Sequence, residues 1–503
     1  MGPGGRAQST SADGRVELEA DVQLDDIRLY NADLAPTRLA GRTWTTYAFA
    51  ALWISMAHCI PTYILASGLI RAGMSWGQSL VTILLGNTIV LVPILLNSHP
   101  GTKYGIPFPV FARAAYGVFG ANVAAMMRAT VACGWFGIQC WIGGHALQRF
   151  TESLWPAWPS ALGSAPIGGY LPTEWLSYAV FWGLNLLIVY RGMDLLRRVE
   201  NWAAPYVLVM TTLLLVWIIR RAGALGHDIG SIVSQPSRFP TLGALMPVFV
   251  PSVTAMVGFW ATLSLNMPDF TRFGRSQREQ ALGQVFALPT TMTVFAAMGI
   301  FITSASAVVF GEAIWDPIDL GARLDSRALV AVAEMTAVVA TLAMNIAANV
   351  VSPANDFSNL APSRISFRTG GLITGLLATL MMPWKLLENS DRYIHGWLLG
   401  YSGGLGSIAG VLACDYWLIR RTRLELADLY RRDGVYGYGS RLGTNWAAIG
   451  ATTVGCGVAW IGLLLPALHW LYDAAWFSGT LSSALVYGAL MWRVRAALAP
   501  RRT

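Results

Sequence analysis

Apolar stretches long enough to cross a lipid bilayer recur twelve times along the 503 residues. They run approximately over 44–69, 77–97, 117–148, 173–190, 201–219, 242–266, 281–309, 328–352, 370–387, 394–418, 446–468 and 474–494. In hydrocarbon every backbone N–H and C=O must be satisfied within the protein, so stretches of this length can cross only as helices. Composition agrees. The chain is 54% hydrophobic and 12% charged, against about 25% charged in an average soluble domain. The sequence therefore predicts an all-α integral membrane protein with twelve transmembrane helices.

An even number of spans puts both termini on one side. With both termini inside, the tails and inside loops hold twenty-five of the 35 lysines and arginines, and such an excess marks the cytoplasmic side. The net charge of +8 thus belongs to orientation in a plasma (cytoplasmic) membrane and not to nucleic acid. Residues 1–43 are polar, mixed in charge and lack a signal-peptide core, so they read as a cytoplasmic tail. The segment 44–418 is a ten-helix core and 419–445 a basic cytoplasmic loop with a short amphipathic helix at Leu424–Tyr430. Two C-terminal helices occupy 446–494, and 495–503 is a second cytoplasmic tail. The Gly- and Pro-rich run from Asn97 to Pro109 predicts a loop. Arg128, within the third span, is expected to snorkel to the surface. Asn266 and Asp269 are expected to end the sixth span and contact the basic loop after it. The five cysteines lie in or at the ends of spans without zinc-ligand spacing, so neither a metal site nor a disulfide framework is expected.

Two spans look interrupted. The first runs through His58-Cys59-Ile60-Pro61, where proline removes an amide donor and clashes with the preceding turn. The sixth contains Gly258-Phe259-Trp260 and ends at Asn266-Met267-Pro268-Asp269. First and sixth are the opening members of two sets of five, and five is odd, so the second set would be inverted relative to the first. Interrupted helices at matching places point to the binding site of a secondary transporter.

The third span adds a polar face. Trp135 and Gln139 are four apart and share one side of a helix. An amide inside a membrane helix needs a partner, either a neighbouring helix or a bound polar molecule. Asn345 and Asn349 share a face of the eighth span in the same way.

These segments resemble the nucleobase–cation symporter family of the first type, which includes bacterial hydantoin and allantoin permeases and fungal cytosine and uracil permeases. The resemblance is carried by His58-Cys59-Ile60-Pro61-Thr62-Tyr63, Gly101-Thr102-Lys103-Tyr104-Gly105-Ile106-Pro107-Phe108, Gly134-Trp135-Phe136-Gly137-Ile138-Gln139, Asn266-Met267-Pro268-Asp269-Phe270-Thr271-Arg272 and Asn345-Ile346-Ala347-Ala348-Asn349-Val350-Val351-Ser352-Pro353. It continues through Asp415-Tyr416-Trp417-Leu418-Ile419-Arg420-Arg421 and Gly443-Thr444-Asn445-Trp446, and covers roughly residues 35 to 450. It implies a five-plus-five inverted repeat (LeuT-like) with two extra C-terminal helices, importing a small heterocycle by alternating access with a coupled cation. By position, Trp135 and Trp260 would sandwich a flat ring, with Phe259 beside them, and Gln139 and Asn349 would hydrogen-bond its amide edge. Cys59 stands where relatives usually carry an amide.

The resemblance also places a cation site at the backbone carbonyls of Ser55, His58 and Ala340, with Ala343 and Met344 where sodium-coupled relatives supply hydroxyls. Neither residue offers a side-chain oxygen, and a hard cation prefers oxygen. The expectation is a vestigial or proton-linked site, with His58 and Glu334 as candidate proton carriers. A single copy is expected to suffice, without a cofactor. The substrate stays open among cytosine, uracil, purines, allantoin, hydantoins and thiamine-like rings, and a same-fold carrier of an amine or amino acid is the alternative. A membrane-embedded enzyme finds no support, since the chain holds no His-Glu-x-x-His and no Gly-x-Ser-x-Gly. Nor is a selectivity-filter loop of a channel present.

Overall fold

Each of the twelve stretches folds as helix in the computed structural model, which describes residues 7–191, 193–233, 236–312, 314, 316–386 and 396–492. The predicted tail 495–503 lies outside the described residues. The first span is a bent pair, α1 (Thr46–Ala57) and α2 (Ile60–Arg71), at 60° to each other. Then follow α3 (Trp76–Tyr104), the short α4 (Phe108–Tyr116), α5 (Ala121–Leu154), α6 (Pro172–Arg191) and α7 (Met193–Ala224). The sixth span is again split, into α8 (Leu242–Phe259) and α9 (Ala261–Asn266). Next come α10 (Gln277–Phe310), α11 (Arg327–Asn349), α12 (Val351–Leu360), α13 (Phe367–Leu380) and α14 (Leu399–Ala413). Last are α15 (Trp446–Trp460) and α16 (Ala475–Met491). Among the described residues, seven spans are long and apolar enough to cross a membrane as they stand, and the bent first pair makes eight.

Two predicted boundaries move. The run from Asn97 is not a loop: α3 continues through Pro93 and Pro100 to Tyr104, and only Gly105 (φ 69°) ends it. The carbonyl that Pro100 leaves without its helical donor, Leu96 O, accepts from Trp417 Nε1 (3.3 Å), and side chains tie this end of α3 to the residues around the sixth span's end. Thr271 Oγ1 donates to Ser98 O (2.9 Å), Thr102 Oγ1 to Thr271 O (3.0 Å), and Asn97 Nδ2 to Ser264 O (2.7 Å). A Cβ on Gly101 would come within 2.8 Å of Pro268 Cα, so glycine permits this approach. The eighth span is also longer than predicted. It reaches Leu360 across a kink at Val350 (φ −114°, ψ −48°) that divides α11 from α12.

At the centre, α5 packs along α11 and against α6. Gly143 and Gly144 of α5 face Phe181 and Tyr178 of α6 so closely that a Cβ would come within 2.1 and 2.7 Å of them, the small-residue contact by which membrane helices associate.

The N-terminal segment is ordered beyond what its composition announced. A hairpin of β1 (Gln8–Thr10) and β2 (Val16–Leu18) leads into a strap tied to several elements. Asn31 donates to Ser358 Oγ of α12 (2.7 Å). Arg272 donates to Thr37 Oγ1, Asp33 O and Ala35 O (2.9–3.1 Å). Tyr430 of the 419–445 segment donates to Leu34 O (2.7 Å). That segment's Asn445 in turn meets Tyr487 near the end of α16 (3.3 Å). Residues 7–43, the 419–445 segment and the end of α16 therefore share one face. The short helix predicted at Leu424–Tyr430 is a single turn, Ala427–Tyr430, with Leu429 and Tyr430 buried.

Candidate substrate site at two broken helices

The first break follows from Pro61, which occupies the opening turn of α2, where its missing N–H leaves no bond unmade. His58 and the extended Cys59 (φ −144°, ψ 155°) link the two halves. The carbonyl freed at Ala57 accepts from Thr62 Oγ1 (3.0 Å), and the Cys59 thiol lies 3.2 Å from the same hydroxyl. At the second break Trp260 (φ −102°, ψ 7°) ends α8. Here the carbonyl of Gly258 accepts from the Tyr401 hydroxyl (2.7 Å), whose oxygen accepts in turn from Trp135 Nε1 (3.1 Å). The indole N–H of Trp135 is thus committed to Tyr401, which fixes the ring relative to the break and leaves its face for packing.

Trp135, Phe259, Trp260 and Asn349 line a small cavity, together with Thr262, Leu263, Met344 and Ala348. Phe259 makes edge contacts with both tryptophans, at 5.2 Å to Trp135 and 4.9 Å to Trp260. Trp260 is braced behind by Trp53 (5.1 Å), and its Nε1 has no hydrogen-bond partner. The space free inside it is about 10 Å³, roughly the room one water needs, so a ring enters only when these side chains move apart.

Gln139 sits one layer away. Its Nε2 donates to Met344 Sδ (3.0 Å), its Oε1 is buried without a partner, and the Cys59 thiol lies against the carboxamide. Met344 thus stands between the amide and the cavity. Asn349 donates to Asn345 Oδ1 (3.0 Å). Asn345 donates to Asn185 Oδ1 (3.1 Å) and Phe136 O (3.4 Å), tying α11 to α6 and α5.

Of the predicted cation residues, Ser55, His58, Ala340 and Ala343 line a second small cavity of about 10 Å³. Met344 points instead into the aromatic cavity. His58 stacks on Phe295 (4.0 Å, 15°), its Nε2 meets Thr211 Oγ1 (2.7 Å), and its Nδ1 has no partner. The Ser55 hydroxyl is also unpaired.

Two expectations are corrected between this site and the face that carries the termini. Arg128 does not snorkel: it is fully buried, 3.6 Å from an equally buried Asp356 on α12, because α12 continues the eighth span inward and brings an anion to it. Asn266 and Asp269 do not reach the basic loop with their hydrogen bonds. Asn266 Nδ2 donates to Ser352 Oγ, and Asp269 Oδ1 accepts from Phe108 N and Asn355 Nδ2 (both 3.1 Å). Beyond these groups lies a cavity of about 620 Å³, lined by Asp269, Arg272, Asn355 and Arg368, that the N-terminal strap borders through Asp33. Sequence reasoning missed Tyr401, Trp53 and Asp356; no motif or spacing signals any of them.

Comparison with known proteins agrees with this arrangement. Residues 36–479 match the family model described as permease for cytosine/purines, uracil, thiamine, allantoin. An allantoin permease of Bacillus subtilis is 42% identical over 94% of this chain and 95% of its own length. A purine–uracil permease of Arabidopsis thaliana is 39% identical over 93% and 79%. Among solved structures, the transporter Mhp1, closed with bromovinylhydantoin bound, superposes with a TM-score of 0.76 at 25% identity, covering 94% of this chain and 98% of that one. The amino-acid-bound transporter MhsT, at 15% identity and a TM-score of 0.54, shares the fold. The protein is thus an integral membrane transporter of LeuT-like fold and a member of the family of permeases for cytosine and purines, uracil, thiamine and allantoin.

Proposed function

We propose that this permease imports a cyclic ureide of the allantoin type by alternating access, with the termini face cytoplasmic, coupling to protons and not to sodium. The observation that carries the reading is the cavity at the two breaks. Trp135, Phe259 and Trp260 give it π-faces for a flat ring, and Asn349 with the Gln139 amide behind Met344 provides donors and acceptors for a ring edge. Rotation of Met344 would let Gln139 reach a bound ureide. The allantoin permease at 42% identity supports a ureide over a purine. A nucleobase is the second reading, favoured by the purine–uracil relative.

The ion assignment rests on side-chain chemistry. Ala343 lines the second cavity without an oxygen, and Met344 faces elsewhere. Backbone carbonyls of Ser55, His58 and Ala340 are left without the two hydroxyls that would complete an oxygen shell for sodium, by analogy with other hard cations. Uptake of labelled allantoin into proteoliposomes should proceed without sodium and collapse with a protonophore. Strict sodium dependence with no response to a proton gradient would overturn the coupling, and failure to transport any cyclic ureide would overturn the substrate class.

A further inference from the structure

Away from the termini face, the connection between α10 and α11 folds over the outer end of the core. Its short helix Pro317–Gly321 is capped by Asp316, whose carboxylate accepts from Ile318 N (2.9 Å). The helix rests on Glu334, in the second turn of α11. Glu334 is 1% exposed, and among the described residues neither carboxyl oxygen has a hydrogen-bond partner. Gly321 lies so close that a single added Cβ would come within 2.7 Å of Glu334 Oε1. The charged groups facing Glu334 are Asp316 and Asp319 on the short helix and Arg149 on α5. Arg149 is drawn off by two other anions, Asp319 at 3.7 Å and Glu152 at 3.4 Å. His145, one turn before Arg149 on α5, faces Asp319 and Arg149.

An ionised carboxylate enclosed without a donor, beside two more carboxylates, is held in an unfavourable place; the neutral acid is not. We propose that Glu334 is a proton-binding site of the outer gate: the helix Pro317–Gly321 closes over it when it is protonated and lifts, admitting water, when it is ionised. The proposal rests on the alternating-access reading above. Since substrate favours closure and closure takes up a proton, linkage makes the effect reciprocal, so acid tightens substrate binding and substrate draws in a proton from the outer side. Asp316 reinforces the direction. Burial first, then Asp319, push its carboxyl up to about 7. A raised carboxyl favours the packed form at low pH, and that contribution is lost as pH rises through 7.

The test needs no substrate. Leu320 is fully buried under the short helix, so a Leu320→Cys variant reacts with a maleimide only when the helix lifts. Its labelling rate in purified protein, divided by that of an exposed Asp325→Cys control to remove thiol ionisation, should rise between pH 6 and pH 8, by up to about ten-fold per pH unit for each carboxyl that titrates. Glu334→Gln should lose most of the rise and keep only the part below pH 7 that Asp316 supplies. Asp316→Asn, which keeps a good helix cap, should make the rise shallower and delay it to higher pH, because it removes an anion that favours the lifted form. An unchanged pH response in Glu334→Gln, or a flat response in the parent, overturns the proposal. Allantoin should slow labelling in the parent. If the pH response is present but no cyclic ureide or nucleobase slows labelling, the substrate reading fails and the proton site stands.

Discussion

Arg128 and Asp356 offer the sharpest perturbation of the fold. Both side chains are fully buried, 3.6 Å apart, and among the described residues none of the guanidinium nitrogens or carboxylate oxygens has a hydrogen-bond partner. At that separation, an effective dielectric of 20 gives an attraction of about 4–5 kcal/mol. Removing one partner leaves a buried charge uncompensated, at a cost of roughly 3–5 kcal/mol. Asp356→Asn should fall at the lower end, because Asp269 still acts on Arg128. Arg128→Met should be the more damaging, since it leaves two carboxylates facing each other. A pair with no hydrogen bonds to compensate desolvation gains little over apolar packing, so Arg128→Met combined with Asp356→Leu should recover to within about 1 kcal/mol of the parent. The assay is a double-mutant cycle of Arg128→Met, Asp356→Leu and their combination on detergent-purified protein, following reversible denaturation by tryptophan fluorescence. A double variant as unstable as the sum of the two singles would refute the reasoning, because it would mean that the charges are not coupled.

Other outcomes follow from the same geometry. Tyr401→Phe should orphan Trp135 Nε1 and Gly258 O together and weaken ligand binding by about ten-fold, from two hydrogen bonds of roughly 0.5–1.5 kcal/mol each. Gly101→Leu should overpack α3 against Pro268 and lower stability by about 1–3 kcal/mol, seen as reduced yield of folded protein. Asn345→Ala should destabilise the fold and Asn349→Ala should chiefly reduce affinity, because Asn345 joins three helices and Asn349 lines the cavity; thermal melting and ligand titration separate the two.

Much of this architecture is legible in the residues. Hydrocarbon leaves the backbone one economical solution per apolar stretch, which is why all twelve helices are found where hydropathy puts them. Pro61 announces the first break by its missing donor, and Gly258-Phe259-Trp260 marks the second. What is not legible depends on partners distant in the chain. Pro100 looks like a loop until Trp417 is seen bonding Leu96 O. Arg128 looks like a snorkelling side chain until α12 brings Asp356 beside it. Tyr401 is one tyrosine in a plain apolar span, and its role exists only because the Gly258 carbonyl is freed elsewhere. The order of residues 7–43 comes from Arg272, Tyr430 and Ser358, all far along the chain. The aromatic cavity lies between these cases. Trp135 and Trp260 can be picked out from the sequence, but the seat of Met344 between Gln139 and the cavity cannot.

The central claim is that the aromatic cavity at the two breaks binds the ring of the transported ureide. The most direct measurement is equilibrium binding of labelled allantoin to the purified parent, to Trp135→Ala and to Trp260→Ala, each checked for a parent-like melt. Saturable binding to the parent that weakens by at least about ten-fold, or ~1.4 kcal/mol, in each variant is the predicted result. Saturable binding to the parent that is equally tight in both variants would contradict the account.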